Sequence, residues 1–188
     1  MRNRRTAVLV IAGAAAVALG SVAVEAGSRG RPSIAFGETV PGDLEALVRT
    51  TWDRFTDAVP ARWSCVAPVT IDGSWTLDDR ASYDPDRRLV TVRIPGTAPN
   101  LEAALVHEFA HHLDFTCAAR ADLRSAFLAA QGLPRDTPWF DGATWERTPS
   151  EQFAEAMIEV VLGRSPPPPR ILVSPDALDV VRAWCRGS

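Results

Sequence analysis

The segment ALVHEFAHHLDF, residues 104–115, constrains the fold more than any other part of the chain. It holds all three histidines of the 188-residue sequence, His107, His111 and His112, with Glu108 beside the first. His107 and His111 are four residues apart, so a helix would place both imidazoles on one face, one turn apart. Apolar residues surround them, and we therefore expect this helix to lie in a domain core with one polar face turned to a cleft.

This spacing predicts a metal site. Two imidazole nitrogens one helical turn apart can reach one Zn²⁺ at about 2.0–2.1 Å each. The pattern H-E-x-x-H on a helix is typical of zinc sites in which the glutamate, here Glu108, is a general base. A catalytic zinc ion takes three protein ligands and keeps one position for water. His107 and His111 therefore need a third ligand from elsewhere in the chain.

The stretch VHEFAHHLD, residues 106–114, resembles the motif of the zincin metallopeptidases. In the metzincin type, the third ligand lies six residues after the second histidine, with a glycine between them. Those positions hold Cys117 and Asp114 here, so the glycine is missing and a cysteine stands in the ligand position. The metzincin arrangement is accordingly the less favoured alternative.

The segment TPSEQFAEAMIEV, residues 148–160, offers a better third ligand. Its pattern E-x-F-A-E-A, about 40 residues beyond H-E-x-x-H, resembles that of the lethal-factor-type gluzincins. The resemblance implies that Glu151 binds zinc and that Glu155 orients a histidine ligand through its free N–H. The alternative is a capping box, in which Glu151 reaches back to the backbone N–H of Thr148 and leaves Glu155 as the ligand.

Three further side chains near the motif have two interpretations each. Asp114, three residues after His111, either orients a ligand imidazole or is a solvated charge. His112 points about 100° away from the zinc face, which favours hydrogen bonding within the domain. Its alternative role is oxyanion donor, because Thr144 stands where lethal-factor-type enzymes carry a tyrosine seven residues before the zinc glutamate.

The loop before the glutamate segment contains two tryptophans, Trp139 and Trp145. Large aromatic side chains are usually mostly buried, so we expect both to pack the loop onto the core. The alternative is that they line the rim of the cleft.

The order of periodic segments is helix, strands, then helices, which predicts an α+β domain. The resemblance implies a small zincin-like domain over residues 41–188, with a short antiparallel or mixed sheet followed by the active-site helix and the glutamate-bearing helix. By the same analogy, we expect the strand RRLVTVRIP, residues 87–95, at the sheet edge beside the cleft. Asn100 is the expected N-cap of the helix 101–115, and Ser174 that of the last helix.

The first 26 residues have the pattern of a signal peptide: a basic start, an apolar run and small residues before a cleavage site near Ala26. The alternative is an uncleaved anchor formed by residues 6–24, since a run of about 18 apolar residues is near the lower limit for a membrane span. Residues 27–40 are expected to be a linker.

Export favours disulfides, and the three cysteines, Cys65, Cys117 and Cys185, allow one bridge in any of three pairings.

The net charge of −3, without a basic run in the body of the chain, gives no electrostatic basis for nucleic-acid binding. The signal-peptide pattern predicts a secreted or extracytoplasmic location. The resemblance implies a zinc endopeptidase, in which zinc activates a water molecule and Glu108 is the general base. Its partner would be a protein or peptide substrate, and we expect a monomer. The alternatives are an inactive zinc-binding interaction domain at the cell surface and a metal-free surface module.

Overall fold

An α+β fold forms over residues 30–117, 120–164 and 171–188, the part of the chain that the computed structural model describes. Within these residues, five helices accompany a mixed four-stranded sheet, as the order of periodic segments predicts. The elements are β1 (Ile34–Phe36), α1 (Gly42–Ala58), β2 (Val69–Ser74), β3 (Ala81–Asp84), β4 (Leu89–Arg93), α2 (Ala98–Thr116), α3 (Arg120–Ala130), α4 (Pro149–Leu162) and α5 (Pro175–Arg186), with 3₁₀ turns at Pro60–Arg62 and Trp145–Arg147.

The sheet has the strand order β1-β2-β4-β3. β4 pairs in parallel with β2 on one side and antiparallel with β3 on the other. The expectation that the strand in residues 87–95 lies at the sheet edge is therefore wrong: β4 is internal, and the edge strands are β1 and β3. The alternation of apolar and polar residues shows which face of a strand is buried, but it does not distinguish an inner strand from an edge strand.

Part of the predicted linker belongs to the sheet, so the folded domain begins before the predicted start at residue 41. Ile34–Phe36 forms β1, which pairs in parallel with β2 in the register Ile34 to Val69. Three residues are too few to show a strand period in sequence.

The proposed signal peptide and the possible anchor in residues 6–24 lie outside the described residues. Within the described residues, no helix has the length and hydrophobicity needed to cross a membrane.

The helix ends agree with the sequence in one case and differ in another. The N-cap of α2 is Thr97, and Asn100 lies inside the first turn. Ser174 caps α5 as predicted, because its hydroxyl accepts a hydrogen bond from the backbone N–H of Ala177 at 3.1 Å.

α2 runs through the core between the sheet and the other helices. It packs on α1, α4, β3 and β4. Five of its apolar side chains are fully buried: Leu105, Val106, Phe109, Ala110 and Leu113. Phe109 packs edge-on against Trp52 and Phe55 of α1, with ring centroids 4.8 and 5.5 Å apart. This packing fixes the rotation of α2 about its axis. His107, Glu108 and His111 consequently face a cleft lined by α4 and β3.

The disulfide joins Cys65 to Cys117, across a sequence separation of 52 residues. It ties the residue after α2 to the loop before β2. Cys185 keeps its thiol, which is buried against the sulfur of Met157 at 3.8 Å. Burial raises the pKa of the Cys185 thiol to about 12. A disulfide is consistent with an extracytoplasmic location, where such bonds persist.

Removing this disulfide is expected to destabilise the fold substantially. For a loop of 52 residues, the chain-entropy model predicts a loss of about 4 kcal/mol in the free energy of unfolding. Urea denaturation of Cys65→Ala/Cys117→Ala against the native chain measures this loss. Native protein treated with dithiothreitol is the control, and it should approach the variant. Equal unfolding midpoints in oxidised and reduced protein would contradict a stabilising role.

Candidate metal centre

Three side chains from two helices converge at the floor of the cleft. The two imidazole Nε2 atoms of His107 and His111 are 3.2 Å apart. The carboxylate of Glu151, in the first turn of α4, places Oε2 2.9 Å from His107 Nε2 and Oε1 3.4 Å from His111 Nε2. All three side chains are only 12–18% exposed. Sequence spacing brings the histidines together, and the packing of α4 on α2 brings the glutamate.

The distances suit a small divalent cation. A tetrahedral zinc ion with ligands at about 2.0–2.1 Å separates any two ligand atoms by about 3.3–3.4 Å. The observed separations of 2.9–3.4 Å are close to that value. Each side chain offers one ligand atom, and these atoms lie within 4.8 Å of one another. The group His107, His111 and Glu151 could therefore hold a metal ion.

Glu155 lies on the outer side of the cluster, one turn after Glu151. Its Oε1 is 3.5 Å from Nδ1 of His107. When the ring is neutral, a carboxylate in this place favours the remaining proton on Nδ1, so that Nε2 of His107 is the nitrogen available to a cation. The orienting role that the sequence resemblance implies for Glu155 requires this proximity, and it stays a prediction.

The charges of the cluster are strongly coupled. Burial alone would lower the pKa of His107, but hydrogen bonds with the carboxylates of Glu151 and Glu155 more than offset it and raise the pKa to about 9. Burial would likewise raise the pKa of Glu151, yet hydrogen bonds with both imidazoles hold it below its usual range. A proton on His107 thus satisfies the carboxylates in the cation-free cluster, and a divalent cation would take over that role.

Glu108 lies beside the cluster and lines the same cleft. It is 7% exposed, and burial raises the pKa of its carboxyl, against the opposing effect of the two neighbouring imidazoles. A raised pKa brings a carboxylate closer to the neutral range in which a general base works best. The cleft has a volume of about 640 Å³ and is bounded on one side by the edge strand β3.

Both alternatives for the third partner disagree with the structure. Cys117 cannot be a thiolate ligand because it is bonded to Cys65. Thr148 is the N-cap residue of α4, but its side chain makes no capping hydrogen bond, and its hydroxyl donates to the carbonyl of Thr144 instead. The carboxylate of Glu151 faces the imidazoles and takes no part in a capping box.

Asp114 is a buried carboxylate that binds side chains of neighbouring elements. It is 1% exposed, so it is not a solvated charge. Its carboxylate accepts hydrogen bonds from Nη2 of Arg124 at 3.0 and 3.1 Å and from Nε1 of Trp139 at 2.8 Å. Asp114 therefore anchors α3 and the loop before α4 to α2. The sequence contained no sign of this, because both partners are contributed by tertiary packing.

The two loop tryptophans have different roles. Trp139 is 7% exposed and packs into the core, as predicted. Trp145 contradicts that expectation and follows the alternative: it lines the cleft. Its ring stacks on His107, with centroids 5.9 Å apart and planes inclined by 23°. Trp145 thus covers one side of the histidine pair.

His112 is fully buried and hydrogen-bonded at both nitrogens, in agreement with the favoured prediction. Nε2 donates to the carbonyl of Ala67 at 2.8 Å, since a carbonyl can only accept. Nδ1 then accepts from the hydroxyl of Tyr83 at 2.9 Å. Burial lowers the pKa of His112 to about 4, which keeps the ring neutral. With both nitrogens engaged, His112 is not available as an oxyanion donor.

We expect His112→Ala to lower the free energy of unfolding by about 2–4 kcal/mol, because it opens a cavity and leaves the Ala67 carbonyl unsatisfied. Tyr83→Phe, which removes one hydrogen bond and keeps the ring, is expected to cost about 1 kcal/mol. Urea unfolding of the two single variants and the double variant measures both effects and their coupling. A His112→Ala protein as stable as the native chain would contradict this role.

Comparison with protein-family models, with curated proteins and with solved structures found no match for this chain. What the centre does is therefore inferred from its own side chains and from the cleft around them. Two histidines and one glutamate lie close together, a second glutamate lies 3.5 Å from Nδ1 of His107, and a third is buried beside them.

Proposed function

We propose that this protein is an exported zinc-dependent endopeptidase of the zincin type, in which the side chains of His107, His111 and Glu151 hold zinc. The observation that carries the proposal is the convergence of two imidazole nitrogens and one carboxylate at 2.9–3.4 Å, beside the buried Glu108, in an open cleft. Three protein ligands beside a solvent-accessible cleft are typical of catalytic zinc, whereas structural zinc is normally enclosed by four.

The donor set favours zinc among the divalent metals. Two imidazoles and one carboxylate form a common catalytic zinc ligand set. Calcium and magnesium prefer sites built from six or more oxygen ligands, counting waters. The presence of two nitrogen donors therefore argues against both of these ions.

Zinc bound at this site would supply a Lewis acid that lowers the pKa of water and stabilises negative charge on a peptide carbonyl oxygen. Glu108 would take the proton from the attacking water and pass it to the leaving amine. Its raised pKa suits both steps, since the carboxyl must accept a proton and then release it. Glu155 would hold His107 in the tautomer that keeps Nε2 unprotonated.

The edge strand β3 supports a peptide as the substrate. It pairs with β4 on one side and borders the cleft on the other. An extended peptide can add to such an edge through backbone hydrogen bonds. That pairing would bring successive peptide bonds past Glu108 and the histidines.

Metal analysis combined with an activity assay tests the proposal. We expect the purified protein to bind one zinc ion per chain and to cleave an unfolded protein substrate such as labelled casein. A chelator should stop cleavage, and added zinc should restore it. Stoichiometric zinc without any hydrolysis would favour the zinc-binding interaction domain. A correctly folded protein that binds no zinc would refute both.

A further inference from the structure

Two phenylalanines lie exposed at one end of the candidate centre. Phe115 follows His111 by four residues and His107 by eight, so all three lie on one face of α2. Phe140, from the loop before α4, stacks on Phe115 with centroids 4.9 Å apart and planes inclined by 21°. They are 40% and 48% exposed, and both line the cleft. Trp145 covers the His107 end of the histidine pair, and the phenylalanine pair adjoins the His111 end.

The phenylalanine pair is held by fixed contacts. The guanidinium of Arg124 lies 4.8 Å from the centre of the Phe140 ring, and its Nη2 is paired with the buried carboxylate of Asp114. The residue before Phe140 is the buried Trp139, which also binds Asp114. On the other side, the ring of Tyr83 lies 6.0 Å from that of Phe115. The two exposed rings therefore form one side of the cleft and are held in place by their neighbours.

Exposed apolar area costs about 25 cal/mol per Å² relative to burial. The surrounding contacts nevertheless hold both rings in the cleft, where an incoming apolar group would bury them. Phe115 lies about 6 Å along the helix axis from His111. Since residues of an extended peptide are spaced by about 3.3 Å, a side chain that reaches Phe115 belongs to a residue within about two positions of the bond over the centre.

We infer that Phe115 and Phe140 form a specificity subsite that takes an aromatic or large aliphatic side chain of a peptide substrate near the scissile bond; this inference rests on the proposed peptidase function. Offset-stacked and edge-to-face contacts with the two rings favour an aromatic side chain over a small or charged one. The preference for one peptide side chain over another comes from burying that side chain against the two rings. The metal-binding cluster and Glu108 lie on α2 and α4 and are separate from this subsite.

The test uses two peptides that differ only in having Phe or Ala at the position nearest the cleavage site. For the zinc-loaded native protein, we expect kcat/KM to favour the Phe peptide by at least about tenfold. Phe140→Ala should reduce this ratio to about twofold. Trp75→Ala, which removes a ring that is 70% exposed and is not among the cleft residues, is the matched control and should keep the full ratio.

Phe115→Ala should reduce the ratio as Phe140→Ala does, and thermal melting checks that both variants fold.

A second measurement follows binding of the same labelled peptides to zinc-loaded Glu108→Gln by fluorescence polarisation. Binding that prefers the Phe peptide, and that loses this preference when Phe140→Ala is added, supports the subsite. Absence of hydrolysis in every variant would contradict only the peptidase proposal. Hydrolysis with an unchanged Phe/Ala ratio in Phe140→Ala overturns the subsite and leaves the peptidase proposal standing.

Discussion

Glu108→Gln is expected to reduce kcat/KM for peptide hydrolysis by about 10²–10⁴-fold, the usual contribution of a positioned general base. The amide has nearly the shape of the carboxylate, but it cannot accept the proton of an attacking water. Zinc content should stay at the native value, because the cluster that could hold the metal is His107, His111 and Glu151. Hydrolysis rates and metal analysis on the same preparation measure both quantities.

The matched control is Glu102→Gln, six residues earlier on the same helix. Glu102 pairs with Arg54 at 3.4 Å and with Arg164 at 3.0 Å, and it is not among the residues that line the cleft. Its loss should change stability slightly and leave hydrolysis intact. If Glu108→Gln kept native activity, Glu108 would not be the base, and the mechanism proposed above would be wrong.

The helical part of the candidate centre could be predicted from sequence because its geometry is local. A four-residue spacing places His107 and His111 one turn apart in any α-helix. Glu108 follows from the same local pattern. The third member, Glu151, is 40 residues beyond His111, and no local rule connects them. Only the resemblance of E-x-F-A-E-A to a known pattern pointed to Glu151, and the packing of α4 on α2 brings its carboxylate to the imidazoles.

The rest of the cleft depends on tertiary packing that leaves little trace in sequence. The order of strands decides that β3, and not β4, borders the cleft. The buried role of Asp114 depends on Arg124 and Trp139, which reach it from α3 and from a loop. The spacing of Phe115 after His111 was visible in the sequence, but its meaning depends on Phe140, which only the fold places against it.

The pairing of the cysteines also could not be predicted from sequence. Composition predicted one bridge among three cysteines but could not select the pair. The fold selects Cys65 and Cys117, because the end of α2 meets the loop before β2. It places Cys185 under α4, against Met157. Pairing therefore follows from topology, and topology depends on contacts between residues far apart in the sequence.

Among variants that leave His107 and His111 intact, Glu151→Ala is expected to cause the largest loss of zinc affinity. Loss of an outer partner of a metal ligand typically lowers metal affinity by about 10–100-fold. Glu155→Gln, which weakens only the contact with Nδ1 of His107, should fall in that range. Glu151→Ala removes one of three converging donors and should exceed it. Competition with a chromophoric chelator at constant pH measures the affinity of each variant.

Thermal unfolding gives an independent measure of the same difference. Zinc that binds only the folded state stabilises it by about 2.7 kcal/mol at a free concentration 100 times Kd. The native chain should therefore show a clear rise in Tm on addition of zinc, Glu155→Gln a smaller rise at the same concentration, and Glu151→Ala almost none. The opposite ranking, with zinc binding abolished in Glu155→Gln and retained in Glu151→Ala, would identify Glu155 as the ligand. That result would require α4 to shift along its axis by about one turn, about 6 Å, relative to α2. Glu155 now faces Nδ1 of His107, and Glu151 faces both Nε2 atoms.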